Sequence, residues 1–386
     1  MKKVKQIFKW FFILLLAVVI GLFVTGNSYI FKAVWVVYFQ GHTSAYIDDF
    51  QYFENQEIPA STNPQPWPIH KDYNSVEPTK KLTDINSELG TIAFMIIKND
   101  SIWYENYFED FNKDSQTNSF SMAKSITSAL LGKAIDDGFI KSLDQPVGDF
   151  YPQYAETGMT VGDLSSMSSG LNWDESYSNP FGMTARAYYA SDLSKTILKL
   201  EVVDTPGESF EYLSGNTQLL AMVIEKALKN GNINLGTYLA ESFWNPMGAE
   251  NPALWQLDDD ENKLAKAYCC LGSNARDFAR FGKLYRDYGK WNGKQLLDSS
   301  FVAKSIKPRF PESPEYGYGF WLSDFKGKDI FAMRGILGQY VIVIPEDDII
   351  IVRLGHQVGE ETDLPFTSDF YVYIQEVYEM MKKRDF

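Results

Sequence analysis

The position of the strand-like runs is the tightest constraint on how this chain can fold. Thr91 to Ile97 (TIAFMII) is continuously apolar, the mark of a strand buried on both faces. Asn99-Asp100 then reads as a turn and Ser101 to Phe108 as the returning strand of a hairpin. Strand patterns reappear only far downstream, at Tyr316 to Leu322, Ile330 to Arg334, Tyr340 to Ile344 and Ile349 to Leu354. Pro345-Glu346-Asp347-Asp348 turns the last pair. Between the two groups, Met122 to Asp137 carries Ile126, Leu130 and Ala134 in one helical row, and Asn274 to Tyr288 is a second helix. Residues 140–260 read as short helices and loops without a convincing strand, and Phe370, Ile374, Val377 and Met381 stripe a final helix. Strands at both ends around a helical middle predict an α/β (α+β) fold. It has one antiparallel sheet assembled from distant parts of the chain, flanked by helices, with an all-helical domain inserted over one edge.

The boundaries that follow are 1–26 for an N-terminal anchor or signal, 27–90 for an approach segment, 91–139 with 265–386 for the sheet-containing domain, and 140–264 for the helical domain. Within the approach, prolines at 59, 64, 66, 68 and 78 are expected to prevent helix over 41–90.

The N-terminus has its own logic. Trp10 to Val24 is fifteen apolar residues placed directly after four lysines, and from Ile7 to Gly26 the segment can cross about 30 Å of hydrocarbon with Lys9 snorkelling. A cleaved signal peptide is the rival, but no A-x-A site or lipobox cysteine follows; Val24-Thr25-Gly26 is the nearest candidate. An uncleaved anchor is the preferred reading. Tyr29 to Phe39 continues as an apolar-aromatic stretch suited to an interfacial segment or a first docking element. Residues 1–40 hold five lysines and no acid, whereas the remainder carries 31 basic against 50 acidic residues. The positive-inside rule therefore puts the lysines in the cytoplasm and exports the acidic body, to the periplasm or the cell surface. An acidic body repels phosphate, which excludes nucleic acid as a partner. Two adjacent cysteines, Cys269 and Cys270, exclude a disulfide scaffold and a Cys-rich zinc site, and as chain neighbours they are expected not to bridge.

Only three histidines are present, His42, His70 and His356, and no G-x-S-x-G occurs, so a histidine-free mechanism is the better search. S-x-x-K occurs twice. Ser323 to Lys326 follows a strand and fixes no geometry, but Ser121-Met122-Ala123-Lys124 opens a helix, placing hydroxyl and amine one turn apart on one face. A lysine desolvated there loses pKa and can act as a base, while the helix N-terminus offers N–H groups to an oxyanion. A plain Ser N-cap is the structural alternative.

Six blocks in order resemble the penicillin-recognising serine hydrolase superfamily, which includes class C β-lactamases, D-Ala-D-Ala carboxypeptidases, related esterases and 6-aminohexanoate-dimer hydrolase. They are FSMAKSITSALLGKAIDDGFI, TVGDLSSMSSGLNW, PGESFEYLSGNTQLLAMVIE, SNARDFARFGKLY, YGYGFWL and RGILGQYVIVIPE, between about Gly90 and Leu354. The resemblance implies a β-lactamase/transpeptidase-like fold and a serine nucleophile at Ser121 with Lys124 as base. Tyr212 takes the place of the second-motif tyrosine that relays a proton. Ser214 stands where Tyr-x-Asn has asparagine, with Asn216 a possible substitute. Met333-Arg334-Gly335 falls on the third motif, so its usual lysine or histidine is missing, and strand alternation aims Arg334 at the opposite face. Gly335-Ile336-Leu337-Gly338-Gln339 is similar to the G-I-x-G-Q of the 6-aminohexanoate-dimer hydrolase type. By that likeness the N–H groups of Ser121 and Ile336 form the oxyanion hole, with Gly335, Gly338 and Gln339 along the substrate edge. No metal or other cofactor is implied. The expected partners are a small amide, ester or peptide-like substrate, and the membrane through the N-terminal helix. Two other readings stay open: a D-Ala-D-Ala peptidase or β-lactamase on cell-wall-type substrates, and a sensor that is acylated but does not turn over.

Overall fold

The computed structural model describes residues 2–228, 233–259 and 261–384. Met1 of the N-terminal segment, 229–232 and 260 of the helical block, and 385–386 of the sheet domain lie outside the described residues. Six strands form one sheet in the order Ser101–Tyr107, Thr91–Lys98, Ile349–Gly355, Gln339–Ile344, Ile330–Gly335, Trp321–Ser323, and every neighbouring pair is antiparallel. Segments more than 200 residues apart in the chain thus share one ladder, Ile350 pairing with Ile97. The expected turns are present: Asn99 and Asp100 both take positive φ, as a two-residue hairpin requires, and Asp348 is left-handed.

The continuous apolar runs have a direct cause in the pleat. Met95, Ile97, Phe331, Met333, Val341, Val343, Ile350 and Val352 face the main core, which includes the helices Met122–Asp136 and Ala275–Arg286. Their alternates Phe94, Ile96, Ile330, Ala332, Tyr340, Ile342 and Ile351 pack under the C-terminal helix Ser368–Arg384 and the helix Lys80–Glu88. A strand covered on both faces has no polar register. The striped positions of the last helix behave as read, Phe370, Ile374 and Val377 being buried and Met381 packing alongside.

Four expectations need correction. Beyond the helix Tyr29–Val37, residues 41–90 are not free of regular structure: Lys80–Glu88 is helical and Asn55–Ile58 is a strand. Pro78 lies before the Thr79 N-cap, whose hydroxyl accepts from the Leu82 N–H, so no proline interrupts the second helix. The helical block also contains a strand, Ala253–Gln256. With Asn55–Ile58, Leu271–Ser273 and Thr117–Asn118 it makes a second, four-stranded antiparallel sheet. Its members are only two to four residues long, too short to show a period. Of the strand expected at Tyr316 to Leu322, only Trp321–Ser323 is regular, because Gly317 lies hard against the Ser305 and Lys307 carbonyls and Gly319 turns at φ 84°. Cys269 and Cys270, expected to stay apart, are bonded to each other. The backbone at Cys270 takes φ 76°, abandoning the extended alternation that would point adjacent side chains apart.

The N-terminal helix Lys2–Val24 is long and apolar enough to span a membrane, and none of its most apolar stretch is buried against the body.

Candidate active site

Ser121 stands immediately before the helix Met122–Asp136, between a strained residue and a buried one. Phe120 is held at φ 44°, a left-handed conformation costly for an aromatic residue. Ser121 occupies the N-cap position, yet its side chain makes no capping bond. Its Oγ lies 2.8 Å from Lys124 Nζ instead. Lys124 is 2% exposed and donates a second bond of 2.8 Å to the Tyr268 carbonyl. Burial pulls its ammonium down to about 8, and the Glu175 carboxylate acts in the other direction.

Tyr212 covers the same amine, with Lys124 Nζ 5.1 Å from its ring centre. Burial raises the Tyr212 phenol, while a hydrogen bond with Ser121 and the Arg334 charge pull it back. The ring packs against Trp321 at 5.0 Å and Tyr316 at 5.9 Å, so an aromatic wall fixes its position.

Ser214 opens the helix Ser214–Leu228. It faces Glu175, which accepts the Ser214 N–H at 2.6 Å and its hydroxyl at 2.7 Å, and also takes the Tyr177 hydroxyl. Asn216, the possible substitute for the missing asparagine, is buried instead against Ser169 and Met167.

On the opposite side, Gly335 ends a strand pressed against the turn before the serine. A methyl group there would lie 2.4 Å from the Ser119 carbonyl oxygen. Only glycine permits this approach. Ile336 follows. Among the described residues, the turn and loop hydrogen bonds include none donated by the N–H of Ser121 or of Ile336. Gly338 and Gln339 lie behind this turn: Gln339 is buried and donates to the carbonyls of Ile336, Leu337 and Gly355. Gly338 takes φ 75° in contact with Arg353.

Met333 is buried in the main core and Arg334 lies on the other face, as alternation requires. Arg334 still reaches the rim, stacking over Trp321 at 5.0 Å and Phe366 at 5.4 Å. The histidines are elsewhere: His42 stacks on Tyr46, His70 binds Asp72, and His356 contacts Glu109. An open cleft of about 480 Å³ near Lys133, Phe139 and Tyr238 contains none of these groups.

Sequence reasoning missed Glu175, the Tyr268 carbonyl and Arg353. Glu175 sits in an irregular polar loop and leaves no sequence signal. Arg353 does leave one, a lone charge inside the apolar strand IIIVRLG.

Comparison with known proteins bears on the family and the fold. Residues 81–373 fit the family model described as Beta-lactamase. The chain belongs to the beta-lactamase family. It is 25% identical to the 6-aminohexanoate-dimer hydrolase of Paenarthrobacter ureafaciens over 313 residues, covering 73% of this chain and 77% of that one. A solved protein of Bacillus anthracis, provisionally named a 6-aminohexanoate-dimer hydrolase, superposes with a TM-score of 0.74 at 21% identity, over 87% of this chain and 92% of that chain. The D-amino acid amidase of Ochrobactrum anthropi gives a TM-score of 0.56 at 16% identity, over 79% and 97%. This member of the family is a serine hydrolase with amidase-like relatives, on a β-lactamase-like fold.

Proposed function

We propose that the protein is a membrane-anchored, extracytoplasmic hydrolase that cleaves amide or ester bonds through an acyl-enzyme on Ser121. The observation that carries this is the 2.8 Å contact between Ser121 Oγ and a buried Lys124 amine, made in place of a helix cap. With its pKa near 8, about a tenth of Lys124 is neutral at pH 7, enough for a base that regains its proton in each cycle. Ser121 Oγ attacks the carbonyl carbon as Lys124 takes the hydroxyl proton. The oxyanion is held by the N–H groups of Ser121 and Ile336. Tyr212, whose ring faces the Lys124 amine, hands a proton to the departing amine or alkoxide. Water then repeats the attack, the acid leaves, and Ser121 is restored.

The curated relative's name points to a linear amide as the first substrate class to try. Met333 places no cation on the strand edge where a penicillin carboxylate is normally held, so β-lactams are poor candidates. The test is incubation of the purified full-length protein with short linear amides, p-nitrophenyl esters and nitrocefin, with intact-mass measurement. Turnover of amide or ester through a transient adduct on Ser121 is the expected result. A stable adduct without turnover would make it a sensor, and preferential nitrocefin turnover would make it a β-lactamase.

A further inference from the structure

The helix Tyr29–Val37 has two unlike faces. Tyr29, Val36 and Val37 are buried against the body, and its single charge, Lys32, lies over the Phe53 ring at 4.3 Å. The outer face shows Phe31, Trp35, Tyr38 and Phe39, spaced as one helical stripe and 40–71% exposed. Nothing charged interrupts that stripe. A contiguous exposed aromatic face on a helix needs an occupant.

The chain itself identifies one. Val24, the end of the apolar N-terminal helix, is five residues before Tyr29. Phe23 and Phe31 touch with ring centres 5.7 Å apart, whereas eight residues of straight helix would separate their Cα atoms by about 12 Å. The chain therefore bends at the junction, where Gly26 takes φ 69°. A helix turned off the axis of a membrane span at its end, and displaying Trp, Tyr and Phe, is in the place and composition of an interfacial helix.

The same helix is fastened to the site. Tyr29 Oη donates to the Pro180 carbonyl at 3.0 Å, Arg186 donates to the Gly26 carbonyl and to Asn27, and the Arg186 guanidinium stacks on the Tyr29 ring. Pro180 belongs to the loop from Asp174 to Gly182. At its other end Glu175 grips Ser214, and on its surface Tyr177 and Phe181 are more than half exposed.

We propose that Tyr29–Phe39 lies in the headgroup layer of the bilayer that the N-terminal helix crosses, with its aromatic stripe against lipid. The loop from Asp174 to Gly182 then carries the mouth of the Ser121 site to that surface. The substrate is an amphiphile with an apolar chain, taken from the interface rather than from bulk water. This rests on the anchor and on the Ser121 hydrolase reading.

The full-length protein in phosphatidylcholine vesicles decides it. Bromine placed shallow or deep in the acyl chains quenches nearby tryptophan, and difference spectra against Trp35→Phe and Trp10→Phe isolate the two reporters. Trp35 should be quenched most by shallow bromine and Trp10 by deep bromine. Quenching of Trp10 without Trp35 would overturn the proposal and leave the anchor standing; quenching of neither would remove both. The triple variant Phe31→Ser, Trp35→Ser, Phe39→Ser should lose severalfold activity on a vesicle-borne long-chain p-nitrophenyl ester while keeping that on the soluble acetate ester. Equal rates for wild type and variant on both esters would overturn interfacial supply, as would an equal loss on both. If the wild type turns over neither ester, the hydrolase reading fails and the substrate claim with it, while quenching still reports where the helix lies.

Discussion

At the scale of single residues, the site depends on one lysine being both buried and adjacent to a hydroxyl. Lys124→Arg keeps the charge but cannot lose a proton near neutral pH. Turnover of the best amide or ester should collapse in this variant. Ser121→Ala should cost as much, and the double variant little more, because residues acting as one unit are strongly non-additive. Near wild-type turnover in Lys124→Arg would refute the assignment. The pH profile gives an independent check. The base must be neutral, so kcat/KM should fall as pH drops below about 8, the value to which burial brings Lys124. Glu175 favours the charged amine, so Glu175→Gln should lower the Lys124 pKa and move this acidic limb to lower pH. A limb that stays in place would show that the carboxylate acts only on Ser214.

At the scale of elements, the turn after the Ile330–Gly335 strand is held from behind by a buried cation. Arg353 is fully buried and donates to the carbonyls of Leu337, Gly338, Gln357 and Leu89 and to the Thr91 hydroxyl. Leu337, in the middle of the turn, sits at φ 63°, a conformation the neighbouring bonds must enforce. Arg353→Gln cannot reach these acceptors together, and each buried carbonyl left unpaired costs about 1–3 kcal/mol. We expect a lower melting temperature and a fall in kcat larger than any rise in KM, because in the proposed mechanism the turn that Arg353 holds through Leu337 and Gly338 carries the Ile336 N–H. Arg353→Lys, which restores the charge but fewer bonds, should recover only part of each. A variant that melts earlier but keeps wild-type kcat would confine Arg353 to stability.

At the scale of the whole molecule, the proposed membrane anchor rests on a basic, apolar N-terminal helix joined to an acidic body. Residues 1–26 should remain attached in protein extracted from membranes, and externally added protease should reach the body in spheroplasts. N-terminal sequencing that begins near Asn27 would defeat the anchor while leaving export intact. Loss of residues 1–26 by cleavage would also remove the Gly26 carbonyl that accepts from Arg186 and the Phe23 ring that packs on Phe31.

The sequence by itself determined the elements whose signal is local. The long strands were legible because burial on both faces leaves uninterrupted apolar runs, and the helix of Ser121 because spacing of three fixes a shared face. The order of six motif blocks was enough to identify the fold, which the sheet and the structural relatives bear out. What the tertiary structure decided is everything that depends on contacts between distant segments. Strands of two to four residues carry no period, so the second sheet became visible only when its partners met. Glu175 acquired its contact with Ser214 through an irregular loop whose sequence carries no period. The desolvation of Lys124 is a property of the walls around it, of Tyr212 and of the Tyr268 carbonyl. A tetrapeptide can put an amine beside a hydroxyl; only the assembled core can remove the water that would keep that amine charged.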